Sequence, residues 1–166
     1  MGLTNFPNGL SSFGAPVLPY TTGNVFFVAA SGGSNGNDGK SPTRAFSTLD
    51  YAVSRCTADN GDVVVMLPGV HSYAASQGLD VAGVTVTGLA GNANRQRTSI
   101  TTTAAADQVI NVTAADCEIA NLTIIPITAA AGIDISAAGV RCYIHDCSFD
   151  MYTPAVDTAT VGIAVL

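Results

Sequence analysis

Short apolar segments with period-two alternation recur through the second half of the chain. Val84-Thr85-Val86-Thr87-Gly88-Leu89, Cys117-Glu118-Ile119-Ala120-Asn121-Leu122-Thr123-Ile124 and Cys142-Tyr143-Ile144-His145-Asp146-Cys147-Ser148-Phe149 superpose, with Val86, Ile119 and Ile144 at equivalent positions. The steps between those three are 33 and 25 positions. A second block, Val109-Ile110-Asn111-Val112, returns as Gly132-Ile133-Asp134-Ile135 after 23 positions and as Gly162-Ile163-Ala164-Val165 after a further 30. Very short strands repeating at roughly 20 to 30 residues are the mark of a parallel β-helix, in which each coil stacks its inward side chains on those of the next. The pattern predicts an all-β fold, a short parallel β-helix of about three coils. Asn121 and Asp146 fall in the same slot between two short strands. Their side chains can bond the backbone at a bend and tolerate left-handed geometry, so both are predicted as structural corners. Uneven spacing is read as loop insertion, as at 101–108.

Ahead of the repeats, Val25-Phe26-Phe27-Val28 and the run 62–67 read as strands, and one helix is predicted near 48–57. Ser47 is the expected N-cap with Asp50 at N3, and Leu49, Ala52, Val53 and Cys56 form the apolar stripe. This helix is positioned to cap the first coil. No such cap follows the last strand, so a bare apolar end predicts burial against another subunit. Residues 1–24 lack periodicity and carry three of the seven prolines. Phe6, Pro7, Phe13, Pro16, Val17, Leu18, Pro19 and Tyr20 make this segment too apolar for an idle linker, and proline lowers the entropy cost of docking. The division is therefore an extended docking arm over 1–24 and a β-helix domain over 25–166, with those eight residues as the expected interface.

Composition narrows the function. The 166 residues are 48% hydrophobic and only 11% charged, with a formal net charge of -6. Six scattered cations give no basic stripe, which argues against nucleic acid. High hydrophobicity with low charge argues against disorder, and the longest apolar runs fall far short of the roughly 20 residues that span a bilayer. No cation-headed apolar stretch follows Met1, so a reducing cytoplasm with free thiols is expected for Cys56, Cys117, Cys142 and Cys147.

Candidate chemistry is sparse. Glycoside hydrolysis uses two carboxylates about 5 to 9 Å apart; Asp116 with Glu118, and Asp146 with Asp150, are the pairs that could supply them. Asp116 and Glu118 at i, i+2 would share a strand face about 7 Å apart, but outward carboxylates are also ordinary on a solvated face. There is no Trp, and Tyr143 and Tyr152 are the only tyrosines in the repeats. Cys142, His145 and Cys147 lie close in sequence, yet alternation turns Cys142 inward and His145 outward, which disfavours a zinc site. Asp38 with Asn37 in the loop SGGSNGNDGKS lacks the carboxylates of a calcium loop, and His71 is read as a surface residue. Asn111 and Asn121 match glycosylation sequons, which mean little without a secretory route. The expectation is no catalytic residue, no metal, no cofactor and no enzymatic activity.

The stretches LTNFPNGLSSFGAPVLP, VFFVAAS, SNGNDGKSPTRAFSTLDYAVSRCTADNGDVVVMLPG, GLDVAGVTVTGLAGNANRQRTSI and VINVTAADCEIANLTI resemble tailed-bacteriophage virion proteins with a right-handed, pectate-lyase-like β-helix. The resemblance implies a right-handed coil and a virion component, a capsid decoration (cement) protein seated as a homotrimer on the particle exterior. The implied partner is the major capsid protein or another virion protein, with neither nucleic acid nor membrane. The alternative is a tail-fibre or tailspike component that binds or degrades host surface polysaccharide; the chain is much shorter than tailspike enzymes of similar fold.

Overall fold

Alternating Val, Ile and Thr suit a pleated, half-buried surface, and in this chain each such segment pairs in parallel with the equivalent segment one coil away. The computed structural model describes residues 11–12, 15–16, 21–89, 98–103, 107–126, 131–150 and 163–165. β1 (Ser11–Ser12) and β2 (Ala15–Pro16) form a small antiparallel pair. β3 (Val25–Val28) follows, then a single 3₁₀ turn at Pro42–Arg44 and the helix α1 (Leu49–Ser54).

Four coils of three strands come next. The first holds β4 (Val63–Met66), β5 (Gly69–Tyr73) and β6 (Gln77–Leu79). The second holds β7 (Thr85–Gly88), β8 (Thr98–Thr102) and β9 (Ile110–Val112). β10 (Glu118–Ala120), β11 (Thr123–Ile125) and β12 (Ile133–Ile135) make the third. β13 (Tyr143–His145), β14 (Ser148–Phe149) and β15 (Ile163–Val165) make the fourth. Three parallel sheets result, ordered β13-β10-β7-β4-β3, β14-β11-β8-β5 and β15-β12-β9-β6. This is a short right-handed parallel β-helix, with four coils where the repeat pattern suggested about three. The additional coil contains β5 and β6, whose sequences GVHSY and QGL carry too little apolar alternation to be recognised.

Register places Val64, Val86, Ile119 and Ile144 on one inward ladder. His71, Ile100, Ile124 and Phe149 form a second. Both ladders belong to or pack against one hydrophobic cluster. His71 is therefore a core residue and not the surface residue expected. Its Nε2 lies 2.8 Å from the Leu67 carbonyl and its Nδ1 3.2 Å from the Tyr73 hydroxyl. A carbonyl only accepts, so Nε2 carries the proton and Nδ1 accepts from Tyr73. Burial lowers the His71 pKa, which keeps the ring neutral.

Two stacked corners flank the first sheet. Gly61, Gly83, Asp116 and Arg141 each stand two residues before a strand of that sheet, and all four have positive φ. Asn121 and Asp146, at φ 56 and 51, turn the chain into the second sheet. The same slot in the second coil is Gly88, where a Cβ would run into the Asn121 carbonyl oxygen. Thr101 and Thr102 belong to β8, so the insertion expected at 101–108 does not begin there.

The first coil is closed by α1, which contacts β3, β4 and β6 and buries Leu49, Ala52 and Val53. Its N-cap is Thr48, whose hydroxyl accepts from the Tyr51 N–H, and not Ser47. Ser47 instead donates to Asn35 Oδ1. Below the helix the buried Asp62 carboxylate accepts from the Asn24 and Thr57 amides at 2.6 and 2.7 Å and from the Asn60 side chain at 2.7 Å. Burial alone would raise its pKa, but these hydrogen bonds outweigh it and hold the group below the usual value. The expected interface residues Phe6, Pro7, Phe13, Val17, Leu18, Pro19 and Tyr20 lie outside the described residues, and Pro16 ends β2.

Gly88→Ala should destabilise the protein by about 2 to 3 kcal/mol, because the added methyl meets backbone on the adjacent coil. Gly36→Ala, whose Cβ would meet only Ser34 Oγ at 3.5 Å, should leave the urea midpoint unchanged. Equal midpoints for the two variants would contradict the packing of the second coil on the third.

Candidate functional site

Alternation leaves every second residue of the first sheet pointing away from the core. Register then lines up Val63, Thr85, Glu118 and Tyr143 on one outward ladder, and Val65, Thr87, Ala120 and His145 on the next. Val63, Val65, Thr87 and Ala120 are buried, whereas Tyr143 is 62% exposed. The most exposed side chain on this face is thus Tyr143, in the fourth coil.

There the side chains converge. The Tyr143 and His145 rings stack with centroids 4.5 Å apart and planes 26° from parallel. His145 Nε2 lies 2.8 Å from Glu118 Oε1, one coil away, and His145 Nδ1 lies 2.7 Å from Asp146 Oδ2. The Thr85 hydroxyl donates to Glu118 Oε2 at 3.2 Å, carrying the network into the second coil. At the upstream corner Arg141 makes a two-pronged contact with Asp116, both distances 2.6 Å. The Arg141 hydrogen bond is the main reason the Asp116 pKa is lowered.

Ionised carboxylates accept and do not donate, so an imidazole held between two of them needs a proton on both nitrogens. Accordingly the His145 pKa is raised, first by the hydrogen bond to Glu118 and next by that to Asp146. The strip therefore presents an imidazolium between two carboxylates beside an exposed aromatic face. It can stack a flat ring on Tyr143 and accept from hydroxyls at the carboxylates, while both imidazolium N–H groups stay committed to Glu118 and Asp146.

The residues singled out in the sequence distribute differently. Asp116 is on a positive-φ corner with Arg141, not on a strand face with Glu118. Asp146 turns its carboxylate to His145, and Asp150 follows β14. Cys142 and Cys147 direct their thiols to the Ala114 and Ile119 carbonyls while His145 faces outward, so the three do not converge. Among the described residues no group of three or more His, Cys, Asp and Glu is arranged to hold a metal ion. Asp38 pairs with Arg44, and Asn37 bonds the Ala45 carbonyl within its own loop. Asn121 donates to the Thr87 hydroxyl at 3.3 Å. All four cysteines are free.

The Glu118, Tyr143 and His145 grouping was not anticipated, although the 25-position step from Ile119 to Ile144 contains it. That same step sets Glu118 beside Tyr143 and Ala120 beside His145.

Because its folded pKa lies above the ordinary 6.5, the stability His145 contributes is fully present below that value and is lost as pH rises through the folded pKa. A proton NMR titration should give a His145 midpoint above 6.5, and Glu118→Gln should bring it down. A wild-type midpoint at or below 6.5 would contradict the clamped imidazolium.

No family model and no curated protein matches the sequence. Among solved structures, a pectin methylesterase in complex with a hexasaccharide is similar to this chain at 20% identity and TM-score 0.58, over 88% of this chain and 46% of its own. Pectin methylesterase PemA from Erwinia chrysanthemi is similar at 18% identity and TM-score 0.59, with the same coverages. The chain therefore spans less than half the length of these neighbours, and the likeness is one of fold. It nevertheless corrects the expectation of a protein without enzymatic activity. The neighbours that share this coil architecture are enzymes, so a short charge-poor β-helix gives no ground for that exclusion.

Proposed function

We propose that the outward face of the first sheet, over the third and fourth coils, recognises a polysaccharide. In this reading the chain is a carbohydrate-binding or carbohydrate-acting β-helix protein of the tail-fibre or tailspike kind. The observation that carries it is the exposed Tyr143 ring, stacked on His145 and edged by Glu118 and Asp146. A pyranose has an apolar face and a rim of hydroxyls. An exposed aromatic next to carboxylate acceptors offers a partner for each. One structural neighbour is a pectin methylesterase in complex with a hexasaccharide, which supports the same class of ligand. The phage-like N-terminal stretches support a virion setting. The shell-decoration reading rests on a β-helix flank and on an arm of whose expected interface residues only Pro16 is among the described ones, whereas the saccharide reading rests on Glu118, Tyr143, His145 and Asp146.

Charge adds a constraint on the sugar. Arg141 is already engaged by Asp116 and His145 by two carboxylates. With a net charge of -6 on the whole chain, uncharged stretches of a polysaccharide fit this strip better than dense polyanions.

The test is calorimetric titration of the full chain with a neutral glucan, polygalacturonate and its methyl ester, followed by assays for new reducing ends and released methanol. At least one polymer should bind, and Tyr143→Ala should weaken that binding about tenfold or more, equivalent to about 1.4 kcal/mol. Val70→Ala removes an equally exposed apolar side chain from the second sheet and should leave binding unchanged. Binding that ignores Tyr143→Ala, or no binding to any of the three, would overturn the proposal. The product assays separate a binding module from an enzyme.

A further inference from the structure

Cys117 and Cys142 immediately precede β10 and β13, and each follows a positive-φ residue of the same stacked corner. Glu118 pairs in register with Tyr143, and the Tyr143 N–H donates to the Cys117 carbonyl at 2.8 Å. The two cysteines are therefore direct neighbours on adjacent coils, at the roughly 4.8 Å spacing of paired strands. That spacing falls inside the range of about 4.4 to 6.8 Å between Cα atoms that a disulfide spans. Their side chains also point the same way, since both thiols approach the Ala114 carbonyl oxygen, each at 3.6 Å. Cys56 and Cys147 use other acceptors, Ala52 and Ile119.

We propose that Cys117 and Cys142 form an oxidisable dithiol site, which a small disulfide such as oxidised glutathione converts into an inter-coil disulfide. Cys142 is half-buried and Cys117 fully buried, which sets the order of events. Burial pushes the Cys117 thiol up to about 11, making it the poorer first nucleophile. The Cys142 thiolate attacks one sulfur of the oxidant, forming a mixed disulfide and releasing one glutathione thiolate. Cys117 then loses its proton and attacks the Cys142 sulfur, expelling the second glutathione thiolate. Two protein thiols and one oxidised glutathione become one protein disulfide and two reduced glutathiones. The electrons lost by Cys117 and Cys142 reside on the departing glutathiones. The bond closes the chain between the two cysteines and ties the fourth coil to the third, directly beneath the strip formed by Glu118, Tyr143 and His145.

The experiment treats the full-length protein with oxidised glutathione, blocks remaining thiols, digests without reduction and identifies linked peptides by mass spectrometry. The expected result is a Cys117–Cys142 linked peptide lacking two hydrogens, with Cys56 and Cys147 recovered in blocked form. The oxidised protein should also show a higher guanidinium midpoint than the reduced one, a shift absent in oxidant-treated Cys142→Ser. A glutathione adduct that stays on Cys142 without resolving, or a link from either cysteine to Cys56 or Cys147, would overturn the proposal. The linkage assay uses the unaltered chain, so it stands even where a serine variant folds poorly.

Discussion

Parallel hydrogen bonding of each coil to the next, at fixed register, is the constraint on which the rest of this structure depends. A strand of three residues cannot hold its own shape in water and contributes only a few inward side chains. Stacked in register, the same strands satisfy their backbone groups on the coil above and the coil below. Their inward residues then merge into one column of Val, Ile and Leu. A slip of one residue would turn Ile119 outward and Glu118 inward, placing a carboxylate in the core. The hydrophobic column thus selects a single register.

Corners enforce that selection. Left-handed backbone costs an ordinary residue roughly 1 to 2 kcal/mol, so its repetition at Gly61, Gly83, Asp116 and Arg141, and again at Asn121 and Asp146, reflects a geometry that stacking demands. Gly88 stands in the second of these columns because the Asn121 carbonyl of the next coil leaves no room for a side chain. At the open start of the column, α1 covers the core and Asp62 collects the amides of the incoming chain. The strip proposed to recognise a polysaccharide follows from the same register. The strip contains one residue from the second coil, one from the third and three from the fourth: Thr85, Glu118, and Tyr143 with His145 and Asp146. No single coil holds it, so its geometry is as rigid as the stack. The electrostatic consequence is local as well: two carboxylates from different coils share one imidazolium, which ties the fourth coil to the third through side chains in addition to backbone.

Much of this was legible in the sequence. Equivalence of Val86, Ile119 and Ile144 is visible as a repeat, and the corner chemistry of Asn121 and Asp146 is visible as a repeated Asn/Asp slot. What stayed hidden has definite causes. β5 and β6 present His, Ser, Gln and Gly where the other coils present aliphatics, because His71 and Gln77 are satisfied internally by specific hydrogen bonds. His71 looked solvent-facing since its partners, the Leu67 carbonyl and the Tyr73 hydroxyl, are known only once the strand direction is known. Thr48 caps the helix in place of Ser47 through contacts that cross the preceding loop: Asn35 accepts from the Ser47 hydroxyl and donates to the Thr48 hydroxyl, which also accepts from the Tyr51 N–H. The strip was missed for a different reason: the repeat was used to stack inward residues, and the same offset applied to outward ones gives Glu118 beside Tyr143. Composition misled as well, since a shortage of charge and the absence of Trp say little about a site built from five side chains on one face.

The most direct test of the account is solution NMR measurement of scalar couplings across the inter-coil hydrogen bonds. The stacking described predicts a coupling from the Tyr143 amide nitrogen to the Cys117 carbonyl carbon, and another from the Glu118 amide nitrogen to the Val84 carbonyl carbon. Couplings displaced by one or two residues, or pairing of β10 with neither β7 nor β13, would contradict the register from which core, corners and candidate strip all follow.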